Sequence, residues 1–160
     1  MPLINKSNDH ICVIGTGIIG TGIALDFALS DYKVKLISRT KEGIIKAKNL
    51  INNDLKFLLK INKINNSDLE TIKRKIKYFS SMKNSIKDCP LIIESIYENL
   101  NDKISIFSQI DKISDPEAII TSSTSSFLPE EFQLSSTRRK KILLTHYINP
   151  PYIIPLVEIV

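Results

Sequence analysis

The stretch that decides the fold is residues 10–29, which read HICVIGTGIIGTGIALDFAL. An apolar β-branched run at 11–14 passes through a glycine-rich turn into a helical pattern over 18–29. Strand, tight turn and helix in this order begin a βαβ unit, in which the next strand returns parallel to the first. The opening of the chain therefore predicts a parallel sheet covered by helices.

The spacing of three glycines in this turn indicates a binding function. Gly15, Gly17 and Gly20 stand in the pattern GxGxxG, which between a strand and a helix is typical of dinucleotide-binding domains. The first permits the tight turn, the second a close approach of the backbone to a pyrophosphate, and the third close helix–strand packing. We expect the free backbone N–H groups at the helix start, including those of Ile18 and Ile19, to bind the phosphates. The alternative is a glycine-rich turn without a ligand.

The rest of the chain alternates short β-branched runs with longer amphipathic segments. Further strands are predicted at 34–37, 76–79, 91–96, 118–121, 142–145 and 156–160. Further helices are predicted at 41–59, at 67–75 with Ser67 and Glu70 as a capping box, and at 102–113. This order predicts one α/β domain over residues 1–160, a doubly wound and mostly parallel sheet with right-handed crossovers.

Charge is unevenly distributed along the chain. The formal net charge is +5, but residues 41–87 alone contain 12 basic and 4 acidic side chains. Such a surface attracts phosphates, whether of nucleic acid, an acidic membrane or a small molecule, and it could also be a solvated helix surface. Nucleic acid is disfavoured because the basic stretch lacks interleaved aromatic residues and a recognised motif.

Composition narrows the class of protein. Hydrophobic residues make up 42% of the 160, which suffices for a core. Cys12 and Cys89 are too few for a disulfide framework and are expected to be core thiols. The apolar runs are too short to span a membrane, and residues 1–10 lack an apolar signal region. The sequence predicts a cytoplasmic protein with no membrane segment and no metal site.

The end of the second predicted strand bears on cofactor choice. An acidic residue usually binds the adenosine ribose hydroxyls there, but this chain has Ser38 and Arg39. Both can hydrogen-bond a ribose 2′-phosphate, which a carboxylate would repel. We therefore expect NAD(H) or NADP(H) as the cofactor, with NADP(H) favoured. The alternative is an exposed arginine in a protein that uses NAD(H).

The C-terminal part of the chain carries three further motifs. Residues 91–112 read LIIESIYENLNDKISIFSQIDK, residues 118–132 read AIITSSTSSFLPEEF, and residues 143–160 read LLTHYINPPYIIPLVEIV. Four motifs occur in the order and spacing of the 3-hydroxyacyl-CoA dehydrogenases: the glycine turn, ENL, Thr-Ser-Ser and His-x-x-Asn-Pro. The chain resembles the N-terminal NAD(P)-binding domain of that family over almost its whole length.

The resemblance implies roles for particular residues. His146 would exchange a proton with the substrate 3-hydroxyl, Glu158 would orient it, and Ser125 would hydrogen-bond the substrate oxygen. A group that titrates near neutrality is needed because a hydride leaves a carbinol carbon only as its hydroxyl proton is taken up. The remaining implied contacts are Glu98, Lys103 and Ser123 toward the cofactor and Asn149 toward the substrate.

Each of these residues also has an ordinary structural interpretation. His146 could be a hydrogen-bonded core histidine, Glu158 a solvent-facing strand residue, and Ser125 part of a loop or helix cap. Glu98 and Lys103 could be ordinary charges at a helix start.

The chain departs from the family pattern in two places. Ser123 stands where the family commonly has Asn, so a contact with the nicotinamide side is lost or mediated by water. Relatives also continue into an all-helical domain that completes the acyl-CoA site, and this chain stops two residues after Glu158. We expect residues 1–160 alone to bind cofactor with very weak or no turnover, and a helical partner domain or chain to complete the site.

The sequence leaves competing functions open. The first is hydride transfer between a nicotinamide cofactor and a 3-hydroxyacyl or 3-oxoacyl thioester of CoA or an acyl-carrier protein. The second is a β-hydroxyacid dehydrogenase, which would normally use a catalytic Lys rather than His146. The third is a non-catalytic nucleotide-binding or assembly module.

Overall fold

The predicted strand–turn–helix opening is present in the computed structural model, which describes residues 4–160. Strand β1 (His10–Ile14) leads through the glycine turn into helix α1 (Ile18–Leu29). The helix begins where the sequence pattern places it. Its interior carries small and β-branched side chains that pack closely against the sheet.

The elements that follow alternate as expected. They are β2 (Lys33–Ile37), α2 (Lys41–Lys60), a 3₁₀ turn (Asn66–Asp68), α3 (Leu69–Lys75), β3 (Ile76–Phe79), β4 (Leu91–Glu94), α4 (Leu100–Ile113), β5 (Ile119–Ser122), α5 (Pro129–Gln133), a second 3₁₀ turn (Arg139–Lys141), β6 (Ile142–Tyr147) and β7 (Val157–Ile159). The short helix α5 was not predicted. It begins at a proline, which suits the first turn of a helix because its missing N–H would be unpaired there.

One predicted helix start is wrong. Ser67 does not cap α3 but lies inside the preceding 3₁₀ turn. The capping box is formed two residues earlier, where the Asn65 backbone N–H donates to Asp68 and the Asn65 side chain accepts in return. Asn is as good a cap as Ser, and the two overlapping patterns could not be ranked from the sequence.

The strands form one seven-stranded sheet in the order β3-β2-β1-β4-β5-β6-β7. The first six are parallel, and β7 pairs antiparallel with β6. Only nine residues join β6 to β7, fewer than the dozen or so that a parallel crossover needs. Strand order reverses beside β1, because β2 and β4 lie on its two sides. The predicted doubly wound sheet is confirmed, with the glycine turn at the point of reversal.

Two apolar clusters cover the two faces of this sheet. One joins α1, α2 and α3 to the sheet, and the other joins α4 and α5 to it. Helix α2 buries four side chains at helical spacing, Ala47, Ile51, Leu55 and Leu58, and turns its lysines outward. Cys12 and Cys89 are buried free thiols in the second cluster, as predicted. None of the helices in residues 4–160 is long and apolar enough to cross a membrane.

Candidate active site

The three glycines of the turn have different surroundings. Gly15 has a φ of +124°, and a Cβ there would lie 2.1 Å from the carbonyl oxygen of Ser95. A Cβ at Gly20 would lie 2.3 Å from the carbonyl oxygen of Gly15. A Cβ at Gly17 would meet nothing within 4 Å. Two of the glycines are therefore required by packing within the protein, whereas Gly17 faces open space.

The start of α1 suits a phosphate group. Gly17 is the N-cap and has no side chain to accept from the first backbone N–H groups of the helix. Ile18, the first helical residue, is 65% exposed, and Ile19 is half-buried. The N–H groups and the positive end of the helix dipole thus face the open space in front of Gly17, which fits a pyrophosphate.

Ser38 and Arg39, predicted as a pair, have different environments. Ser38 is buried, and its hydroxyl accepts from the Thr16 hydroxyl (3.3 Å) and from the Thr40 backbone N–H (3.3 Å). Ser38 also lies directly against Gly43, where a Cβ would come within 2.1 Å of its Oγ. Its hydroxyl is thus used to join the glycine turn to the start of α2. Both bonds are accepted, so the Ser38 proton remains available to donate. Arg39 is exposed.

A buried ion pair lies below the ends of β4 and β5. Lys103 Nζ is 2.9 and 3.1 Å from the two carboxylate oxygens of Glu94, and both side chains are almost completely buried. Ser122 Oγ (2.6 Å) and the Ile96 backbone N–H (2.7 Å) also donate to this carboxylate. Lys103, expected along the cofactor, has a side chain that is 1% exposed and an ammonium group paired with carboxylates within the protein.

Glu98 holds the loop that contains Ser125. Its carboxylate accepts from the Thr124 hydroxyl (2.8 and 2.9 Å) and from the Ser125 backbone N–H (3.2 Å), and it lies 3.3 Å from Lys103 Nζ. Partial burial alone would raise the pKa of Glu98, but the hydrogen bonds and the lysine charge outweigh burial and lower it. Glu98 is therefore an anion that fixes the backbone at Ser125, whose own side chain is exposed.

The structure brings His146 and Glu158 together. They are directly opposite each other in the antiparallel β6–β7 pair, and His146 Nδ1 lies 2.7 Å from Glu158 Oε2. The side chains are 31% and 61% exposed, so both remain accessible. With Nδ1 on the carboxylate, Nε2 is directed away from Glu158 and can meet a substrate. This is the arrangement that fixes the orientation and tautomer of an imidazole.

The other predicted substrate contacts are not joined to this pair. Within residues 4–160, the hydrogen bonds of the Ser125 loop lead to Glu98 rather than to His146. Asn149 is exposed in the β6–β7 connection and precedes a cis peptide bond to Pro150.

Sequence reasoning missed three residues at this edge of the sheet: Glu94, Ser95 and Thr124. Only Glu94 carried a signal, since a carboxylate that ends a run of apolar strand residues requires a buried partner. That partner, Lys103, is nine positions away and could not be assigned without the fold.

Comparison with known proteins agrees with this geometry. Residues 10–160 match the family described as the NAD binding domain of 3-hydroxyacyl-CoA dehydrogenase. The chain belongs to this family. It therefore has the Rossmann-type fold of this NAD binding domain family.

Curated relatives are about one-third identical to the chain over the aligned residues. A lambda-crystallin homolog of Rattus norvegicus is 32% identical over 151 residues, which cover 94% of this chain and 47% of the relative. A 3-hydroxybutyryl-CoA dehydrogenase of Clostridioides difficile is 32% identical over 152 residues, covering 94% and 53%. The chain spans about half the length of the curated relatives it matches.

Solved structures show the same fold. FadB2 of M. tuberculosis superposes with a TM-score of 0.90 at 26% identity, covering 93% of this chain and 52% of that one. The (S)-3-hydroxybutyryl-CoA dehydrogenase of Ralstonia eutropha gives 0.89 at 27% identity, covering 94% and 53%. The family domain thus makes up about half of each of these chains.

Proposed function

We propose that this chain is the cofactor-binding and proton-transferring part of an oxidoreductase that interconverts 3-hydroxyacyl and 3-oxoacyl thioesters. The observation that carries the proposal is the 2.7 Å contact between His146 Nδ1 and Glu158 Oε2 at the carboxyl edge of an NAD-binding family domain. A nicotinamide cofactor, when bound, supplies the hydride chemistry. The open backbone at Gly17 and the uncapped start of α1 fit its pyrophosphate.

In the proposed reaction His146 moves the proton. In the oxidation direction His146 Nε2 accepts the proton of the 3-hydroxyl group as the hydride leaves the carbon that carries this hydroxyl. Glu158 holds Nδ1 protonated and stabilises the imidazolium that forms. In the reverse direction the imidazolium returns the proton to the carbonyl oxygen. Ser125 would donate a hydrogen bond to that oxygen, with its loop held by Glu98.

The cofactor proposal is NADP(H) in preference to NAD(H), and it rests on Arg39. The chain has no carboxylate at the end of β2, and the Arg39 side chain is exposed there. Ser38 is buried and its hydroxyl accepts from Thr16 and Thr40, which leaves its proton as the one group it can offer a 2′-phosphate.

The substrate proposal is a thioester of CoA or an acyl-carrier protein. The relative from C. difficile is named for a CoA thioester. The 12 basic side chains of residues 41–87 would attract the phosphates that either carrier bears. A helical partner domain or chain would complete the acyl site.

The test combines cofactor titration with turnover. NADH and NADPH are titrated calorimetrically, and consumption of the reduced cofactor is then followed on adding acetoacetyl-CoA or the matching pantetheine thioester. The same assay is run on residues 1–160 joined to the remaining half of the C. difficile enzyme. Binding of neither cofactor contradicts the proposal. Binding with no turnover in either form favours a non-catalytic nucleotide-binding module.

A further inference from the structure

Two serines continue the sheet beside the glycine turn. The Ser95 backbone N–H donates to the carbonyl of Ile14 (2.7 Å), and the Ser123 N–H donates to the carbonyl of Glu94 (2.8 Å). Each serine thus extends the parallel ladder one step past its strand. Across the carboxyl edge the order is Gly15, Ser95, Ser123, so both serines lie on the β4–β5 side of the turn.

The two serine hydroxyls form a hydrogen bond with each other and still have a donor and acceptors without partners. Ser123 Oγ donates to Ser95 Oγ at 2.9 Å. A hydroxyl has one proton and two lone pairs, so this bond uses the Ser123 proton. Within residues 4–160 the Ser95 proton has no acceptor and the Ser123 lone pairs have no donor. The pair, with Ser95 buried and Ser123 half-buried, therefore has one donor and one acceptor without partners side by side, and reversing the shared bond leaves the same capacity.

The pair lies where one half of a bound dinucleotide must lie. With the pyrophosphate at the start of α1, the adenosine extends toward the end of β2. Strands β2 and β4 are on opposite sides of β1, so the other nucleoside extends over Ser95 and Ser123. Its carboxamide and its ribose hydroxyls each offer an acceptor and a donor together.

We propose that Ser95 and Ser123 form a two-hydroxyl subsite for the nicotinamide-nucleoside half of the cofactor. The proposal rests on the cofactor function proposed above. The family commonly has Asn at position 123, and one side-chain amide offers a donor and an acceptor as these two serines do together. A lone serine offers its donor and acceptor at one atom, whereas Ser95 and Ser123 together place them on two adjacent atoms, as an amide does.

The test is calorimetric titration with the reduced dinucleotide that the wild type binds more tightly. Ser95→Ala and Ser123→Ala each remove one neutral hydrogen bond, so we expect affinity to fall about three- to tenfold. The double variant should lose less than the product of the single losses, because the hydroxyls share a bond. Ser126 is an exposed serine of the same loop, so Ser126→Ala is the matched control. This variant should bind the dinucleotide with unchanged affinity. Ser123→Asn should retain the wild-type affinity.

Two ligand analogues separate the carboxamide from the ribose. ADP-ribose, or its 2′-phosphate if NADPH binds more tightly, lacks the nicotinamide. If the subsite holds the ribose, the alanine variants weaken this ligand as well. If it holds the carboxamide, ADP-ribose binding is unchanged. The 3-acetylpyridine analogue keeps the carbonyl but has a methyl in place of the NH₂, so it should lose only the contribution of the hydroxyl that accepts from the NH₂.

Failure of the proposed subsite can be distinguished from failure of the proposed cofactor function. If Ser95→Ala and Ser123→Ala bind the dinucleotide as the wild type does, at an unchanged midpoint of thermal unfolding, the subsite is wrong while the cofactor function stands. If the wild type binds no dinucleotide, the proposed function fails and the subsite with it.

Discussion

At the scale of single residues, the proposed proton transfer depends on one imidazole. The chain has two histidines, His10 at the start of β1 and His146 at the proposed site, so His10 is a matched control. In a form that turns over, we expect His146→Gln to lower kcat by about a hundredfold or more, because glutamine cannot accept the proton. Cofactor affinity should remain nearly unchanged. Steady-state kinetics and calorimetry measure the two quantities.

The same measurements can disprove this assignment. Turnover by His146→Gln close to that of the wild type would remove the central residue of the proposal. Loss of turnover in His10→Gln would show that the assay reports general damage to the fold.

The proposed preference for NADP(H) rests on Arg39. An exposed guanidinium gains charge-assisted hydrogen bonds with a ribose 2′-phosphate that it cannot make with a 2′-hydroxyl. We expect the wild type to bind NADPH more tightly than NADH. Arg39→Ala should weaken NADPH binding by about ten- to a hundredfold, since such bonds contribute about 1.5–3 kcal/mol. NADH binding should change little. Equal affinities in the wild type, or equal losses in the variant, would contradict the preference.

At the scale of elements, the glycine turn allows packing to be separated from binding. Gly17→Ala adds a methyl group to open space, so we expect stability to be nearly unchanged and cofactor affinity to fall. Gly20→Ala places a methyl 2.3 Å from the carbonyl oxygen of Gly15 and should lower the free energy of unfolding by about 1–3 kcal/mol. Urea unfolding and cofactor titration of both variants test this contrast. Comparable stability losses would show that the space at Gly17 is needed by the protein itself.

The ends of β4 and β5 and the start of α4 are joined by the Glu94–Lys103 pair. Lys103→Met leaves a buried carboxylate without its cation, which should cost about 3–5 kcal/mol of stability. The double change Glu94→Gln with Lys103→Met should recover much of this loss. Chemical denaturation measures both variants. If Lys103→Met weakened cofactor binding without loss of stability, Lys103 would be a cofactor contact as the family resemblance implied.

The sequence predicted elements better than it predicted side-chain partners. Strand and helix positions followed from apolar periodicity, which reports burial and is local. The pairing of His146 with Glu158 was also predictable, because the Asn-Pro-Pro bend returns the chain. The burial of Ser38 and Lys103 was not predictable, since each is determined by contacts with residues from other elements, Thr16 and Glu94. The Ser95–Ser123 bond likewise depends on strands that are neighbours in the sheet but not in the chain.

At the scale of the whole molecule, the family domain makes up about half the length of the relatives that contain it. Residues 1–160 supply His146, Glu158 and the Ser125 loop, but no described element covers an acyl chain above them. Misplacement of a reacting carbon by about 1 Å can cost on the order of a hundredfold in rate. We therefore expect residues 1–160 alone to bind cofactor with very weak or no turnover, and the chimera with the C. difficile half to be faster. Equal rates in the two forms would refute this expectation.

Because strand β7 has only three residues, we expect the His146–Glu158 contact to be open in a fraction of the molecules at any moment. Its residues are all exposed, and its pairing with β6 at the sheet edge holds Glu158 in place. Edge strands of this kind fray with opening free energies that can approach zero. An opening free energy of about 1.4 kcal/mol would leave the imidazole without its carboxylate for about a tenth of the time. Any partner that covers β7 therefore raises the fraction of molecules ready to react without touching the substrate.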